Sequence, residues 1–186
     1  MNKEKYLLTI KAEERAGLLH SVTGLIERKH IEIKSLNLAP TDIHDVVMIT
    51  IEVAVSESEL TSLAFKLEKI IEVFSVQVTK YDQAVCLRAT YFKVAKGLLE
   101  TPQIAALQKH GAIIVNWYAD AFLIAQHGTD TSILNLYNEL DGPYLLGFTQ
   151  TGLISDRALL DDVEGRVIKL SGNANSDEYR IHGLAA

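Results

Sequence analysis

The chain has 186 residues, 48% of them apolar and 23% charged, with a formal net charge of −6. That length suits one large domain or two small ones with a real core, and the acidic balance excludes a general attraction to nucleic acid or anionic lipid. The one cysteine, Cys86, excludes an intramolecular disulfide and a thiolate cage; no apolar run approaches the ~20 residues of a membrane span and no signal-type stretch precedes the patterned sequence, so a cytoplasmic location is expected.

Residues 5–12 (KYLLTIKA) predict a strand, which ends in the polar loop Glu13-Glu14-Arg15-Ala16-Gly17. Leu18, Leu19, Val22, Leu25 and Ile26 then fall on one helical stripe. Residues 31–39 (IEIKSLNLA) predict a second strand, stopped by Pro40, and the β-branched run 46–55 (VVMITIEVAV) a third. Ser56 or Ser58 caps the next helix, in which Leu60, Leu63, Leu67, Ile70 and Ile71 recur at helical spacing. Residues 73–81 (VFSVQVTKY) complete a βαββαβ order, the ferredoxin-like unit. Its helices cover one face of an antiparallel sheet, and Glu32 and Lys34 suggest a partly polar second face.

Residues 84–152 repeat the order more loosely. A strand over 84–94 is followed by a helix that Thr101-Pro102 opens and Gly111 ends. Residues 112–118 and 121–127 predict a hairpin. Asp130 or Thr131 caps a helix carrying Ile133, Leu134, Tyr137 and Leu140, and residues 144–151 close the unit. The fold class is therefore α+β: a first domain over 1–82, a second ferredoxin-like domain over 83–154, and a tail over 155–186. That tail reads as partly disordered, or as a short helix through Leu159, Leu160 and Val163. Only nine charged residues fall among the 72 from 83 to 154. A compact core and a contact surface in an assembly both account for that poverty of charge.

No catalytic constellation emerges. None of the six histidines sits in a metal-type pair, and no GxGxxG or P-loop is present, so no metal and no cofactor is expected. His20-Ser21 are helix neighbours that cannot face each other, and Cys86 lies in an apolar strand as a core thiol. One feature stands out from this background. Glu14-Arg15-Ala16-Gly17-Leu18 joins a strand to the N-terminus of an amphipathic helix. Free N–H groups, a partial positive charge and a glycine that admits close approach suit a carboxylate or phosphate there. A plain strand-to-helix turn accounts for the same residues.

The run from Ala16 to Asp42 (AGLLHSVTGLIERKHIEIKSLNLAPTD) resembles the N-terminal ACT domain of the small regulatory subunits of acetohydroxyacid synthase (acetolactate synthase). That family shows a glycine after the first strand, an apolar helix, and a strand similar to Glu32-Ile33-Lys34-Ser35-Leu36-Asn37-Leu38-Ala39-Pro40-Thr41. The resemblance covers about residues 4–154, and its second half rests on pattern alone. It implies a non-catalytic subunit that pairs through its ACT domains. Such a subunit binds and activates a thiamine-diphosphate-dependent large subunit in branched-chain amino-acid biosynthesis. It also implies a small amino-acid effector between two ACT domains, held by the loop before the first helix of one copy and the second strand of its neighbour. The implied ligand-binding residues are Glu14, Arg15, Ala16, Gly17, Leu18 and Glu32. Glu14 and Glu32 stand where the family carries two asparagines, counting from Gly17 and Ser35. An ionised Glu accepts hydrogen bonds but does not donate them, so valine sensitivity is expected to be altered. Arg15 and Lys34 are the nearby cations.

Two other functions fit parts of the sequence. A stand-alone ACT-domain amino-acid sensor needs a ligand but no large subunit. An enzyme with a site in the charge-poor second domain could use a pocket lined by Tyr91, Trp117, Tyr118 and Tyr144.

Overall fold

A computed structural model of the chain describes residues 3–158. The first domain runs β1 (Glu4–Glu13), α1 (Leu18–Glu27), β2 (Ile33–Pro40), β3 (Val46–Val55), α2 (Glu57–Leu67) and β4 (Val73–Lys80). Its antiparallel sheet has the order β2-β3-β1-β4. The second domain runs β5 (Cys86–Ala95), α3 (Ala105–Lys109), β6 (Ile113–Trp117), β7 (Ala121–Gly128), α4 (Asp130–Leu140) and β8 (Leu145–Gln150). Its order, β6-β7-β5-β8, repeats the topology of the first. These are the two ferredoxin-like βαββαβ units that the hydrophobic periods predict.

Each sheet buries one face under its helices. In the first domain Leu8, Ile10, Ile49, Ile51 and Val53 meet Val22 and Ile26 of α1 and Leu63 and Leu67 of α2. In the second, Phe92, Val94, Phe122 and Ile124 meet Leu107, Ile133, Leu136 and Leu140. A third cluster joins the domains. Leu7, Cys86 and Leu153 pack together with Tyr81 and Ala84 on the face of the first sheet that the helices leave open. Cys86 is thus a core thiol, and burial pushes its pKa up.

Several local expectations are corrected. Helix α2 ends at Leu67, so Ile70 and Ile71 lie in the turn that follows. Lys69 donates to Lys66 O and Ile70 to Leu67 O, bonds that tighten the last turn. Ile70 packs on the core from that turn, while Ile71 is 92% exposed. Ser56 starts the helix: the Glu59 carboxylate accepts from the Ser56 N–H and hydroxyl at 3.1 and 2.6 Å. The helix expected over 102–110 is split into a 3₁₀ turn at Pro102–Ile104 and the short α3. Thr129, not Asp130 or Thr131, caps α4, its Oγ1 accepting from the Ser132 N–H at 3.3 Å. Leu136 is fully buried where Leu134 was expected, and Leu134 points to solvent. Leu19 likewise leaves the α1 stripe and is exposed.

The polar second face of the first sheet exists, but other residues build it. Glu32 precedes β2, and Lys34 is the unpaired residue of a bulge between Ile33 and Ser35. The bulge shifts the alternation by one position. Ser35 then pairs with Glu52 and Asn37 with Thr50, beside Leu7 and Thr9 of β1. After β8 the chain returns to this face, where Gly152 lies against Leu36 and Asn37. The short strand β9 (Ile154–Ser155) pairs with the start of β5. The helix expected through Leu159, Leu160 and Val163 lies outside the described residues.

Candidate functional site

The loop after β1 is held by backbone bonds at both ends. The Glu13 N–H donates to Glu72 O at 2.8 Å and the Glu14 N–H to Asp45 O at 2.7 Å. Leu18 N–H closes the turn on Arg15 O at 3.2 Å. Gly17 is the N-cap of α1 at φ +90°, a left-handed conformation that favours glycine. It has no side chain with which to cap the helix, and no acid stands in the first turn. Ala16, Arg15 and Glu14 are exposed beside this helix start, while Leu18 is buried in the core beneath it.

The charges of the loop are distributed in a definite way. Arg15 Nε pairs with Glu13 Oε1 at 2.9 Å, and Lys34 Nζ with Glu32 Oε2 at 2.6 Å. Glu14 makes no ion pair among the described residues. Arg15 is therefore engaged with Glu13 and not with Glu14.

Register decides how these residues relate. Glu13 pairs with Val46 at one end of the sheet, and Ile33 pairs with Val53 at the other. Seven residues of strand span roughly 24 Å. Glu14 and Glu32 therefore lie at opposite ends of the sheet and do not share a site within one protomer. β2 is an edge strand, paired with β3 on one side only. A second copy laid antiparallel along that edge would bring the start of its β2 towards the first copy's loop.

A second cluster escaped the sequence reading, and it lies between the domains. Arg88 on β5 has only 7% of its side chain exposed. Its Nη2 donates to Glu52 Oε2 at 2.8 Å, its Nε to Asp130 Oδ1 at 2.7 Å, and its Nη1 to Ser35 Oγ at 3.1 Å and Thr151 O at 3.3 Å. Tyr81 donates to Asp130 Oδ2 at 2.7 Å, and Lys5 stands 3.3 Å from Glu52 Oε1. Burial pushes the Asp130 carboxyl up, but hydrogen bonds from Tyr81 and Arg88 outweigh it, and the carboxyl sits below the ordinary range. Burial and the bond to Asp130 hold the Tyr81 phenol well above its usual value. A signal was available. Glu52 is the only charge in the strand 46–55, and Arg88 the only one between Gln83 and Phe92. Lone charges in central strands are rarely buried without each other.

The four aromatics expected to line one pocket do not converge. Trp117 stacks on Phe122 with centroids 5.2 Å apart, and Tyr144 packs against Gly97. Lys93 lies over the Tyr118 ring. Tyr91 lines a shallow concavity of about 250 Å³ on the open face of the second sheet, with Ala89, Ala125, His127 and Thr149. Among the described residues no three His, Cys, Asp or Glu side chains group to hold a metal, and no helix is long and apolar enough to cross a membrane.

Residues 8–75 match the family of AHAS small subunit-like ACT domains. The chain is 26% identical over 151 residues to the acetolactate synthase small subunit of Mycolicibacterium smegmatis, covering 81% of this chain and 89% of that protein. It is 27% identical over 142 residues to the Bacillus subtilis acetolactate synthase small subunit, covering 75% and 82%. The crystal structure of the acetolactate synthase small subunit from Thermotoga maritima superposes with a TM-score of 0.73 at 16% identity, over 82% of this chain and 96% of that one. That likeness concerns the fold. Residues 8–75 are thus similar to AHAS small subunit-like ACT domains, and the chain across both domains is similar to acetolactate synthase small subunits.

Proposed function

We propose that this chain is a non-catalytic regulatory subunit of acetohydroxyacid synthase. It binds and activates a thiamine-diphosphate-dependent large subunit, and it acts as a homodimer joined through its ACT domains. The observation that carries this reading is the similarity to acetolactate synthase small subunits across both domains, 89% of the length of one relative. The open β2 edge supports the dimer. With Glu14 and Glu32 at opposite ends of each sheet, two copies create two composite sites, each with Glu14, Arg15, Ala16, Gly17 and Leu18 from one protomer and Glu32 from the other. An amino-acid effector held there bridges the copies and biases how they pair, which is the physical basis for action at a distance. Two carboxylates suit the ammonium of such a ligand and repel its carboxylate, so a site that elsewhere takes valine's carboxylate on neutral amides binds valine more weakly here.

Size-exclusion chromatography of the chain with an acetolactate synthase large subunit tests this. The two co-elute if the proposal holds. Separate elution across micromolar concentrations overturns it, and an amino acid that binds the isolated chain in that case points to a stand-alone sensor.

A further inference from the structure

Arg88 touches four segments at once: β2 through Ser35, β3 through Glu52, the first residue of α4 through Asp130, and the return segment through Thr151 O. Each of these partners is itself held by another group, Thr151 by Ala89, whose C=O accepts the Thr151 N–H at 2.9 Å and whose N–H donates to Thr151 Oγ1 at 3.1 Å. Ser35 Oγ also accepts the Leu153 N–H at 3.1 Å, Glu52 is approached by Lys5, and Asp130 accepts from Tyr81. Two cations and two carboxylates balance within the cluster. A buried ion cluster adds little net stability over apolar residues of the same shape, yet it demands one geometry. A planar guanidinium fixes the directions of its partners in a way an ammonium does not.

The rest of the contact makes β2 the element that feels this geometry. A Cβ on Gly152 would lie 2.5 Å from Leu36 O, so the return segment rests directly on the β2 backbone. The covalent link between β4 and β5 is residues 81–85, a 3₁₀ turn at Tyr81–Gln83 followed by Ala84 and Val85. We propose that Arg88 is a positioning residue that couples strand β2 of the first domain to helix α4 of the second. A displacement of β2 moves Ser35, Ser35 moves the guanidinium, and the guanidinium moves Asp130 at the head of α4. The coupling is a property of the isolated chain and does not depend on the function proposed above. If that function holds, it gives an effector at the β2 edge a route into the second domain.

A mutant cycle on the full chain tests it. Ser35→Ala and Asp130→Asn are made singly and together, in the native background and with Arg88→Met. Ser35 and Asp130 share no hydrogen bond, and Arg88 donates to both; the Arg88→Met background separates that route from the one through Leu153 and Tyr81. In the native background the double variant's Tm departs from the sum of the single shifts by about 2 °C or more; with Arg88→Met the shifts add. Should Arg88→Met fail to fold, Arg88→Lys replaces it, keeping the charge and losing the fork. Hydrogen exchange gives a readout that lost stability alone does not move. Ser35→Ala speeds exchange in the first turn of α4 and leaves the far end of that helix unchanged. Ser35→Ala paired with Glu139→Gln is the control, and its shifts add. Additive shifts for Ser35 and Asp130 in the native background overturn the proposal. So does equal non-additivity in the Glu139 control, or exchange that rises evenly along α4.

Discussion

Gly152→Ala tests the contact between the return segment and β2 at a single atom. The added Cβ would sit 2.5 Å from Leu36 O, 2.8 Å from Leu36 C and 3.0 Å from Asn37 Cβ. Two of those atoms are backbone, so no flexible side chain can swing away. To reach ordinary contact at 3.4 Å the segment must withdraw by about 0.9 Å. That movement stretches the 3.1 Å bond from Leu153 N–H to Ser35 Oγ. It also draws the Leu153 side chain, 1% exposed, out of its cluster with Leu7 and Cys86. Overpacking of this kind costs about 1–3 kcal/mol. At about 2–4 °C per kcal/mol for a chain of this size, the Tm falls by about 2–12 °C. Gly147→Ala is the matched control: Gly147 lies on β8 with nothing within 4 Å of an added Cβ. Its Tm holds or rises slightly, because alanine narrows the unfolded ensemble. Calorimetric melts of the two variants side by side decide the matter. A Gly152→Ala chain that melts no lower than Gly147→Ala refutes the packing.

Three further outcomes follow from the same geometry. Leu136→Ala lowers stability by about 2–5 kcal/mol and Leu134→Ala by far less, since Leu136 is fully buried and Leu134 is 56% exposed; urea midpoints that rank them the other way contradict the α4 face. Asp130 carries a depressed carboxyl pKa, so the stability it confers is present above its unfolded value of ~3.9 and is lost as pH falls through the folded one. Asp130→Asn is accordingly less stable than the native chain at pH 7, and the gap narrows below about pH 4; a gap constant with pH contradicts the assignment. Valine leaves the melting temperature unchanged if the proposed site holds Glu14 and Glu32 where the resemblance places neutral amides; a saturating ligand at 100 times its Kd adds about 2.7 kcal/mol, so a clear upward shift with valine, read beside leucine and isoleucine, refutes the altered preference.

Much of the fold was legible because its hydrophobic periods are clean. The strand over Val46–Val55 and the start of α1 at Leu18 emerge at the residues predicted. Misplacements occur where a tertiary demand overrides the local pattern. The turn after α2 must carry the chain back to β4, so Ile70 and Ile71 leave the helix although their spacing continues it. Asp130 is a good capping residue by type, but Arg88 and Tyr81 claim its carboxylate, and Thr129 caps instead. The bulge at Lys34 is invisible to alternation and exchanges Lys34 for Ser35 on the polar face. The candidate loop was legible from its glycine and the helix that follows. That Glu14 and Glu32 lie at opposite ends of one sheet was not, since only strand register reveals it. Arg88 bonds to residues up to 63 positions away, beyond any local window.

The most direct test of the account is the rate of acetolactate formation by an acetolactate synthase large subunit as this chain is titrated in. The account predicts a saturable rise in rate with increasing chain, and no turnover by the chain alone. An unchanged large-subunit rate across the titration, or turnover by the isolated chain, would contradict it.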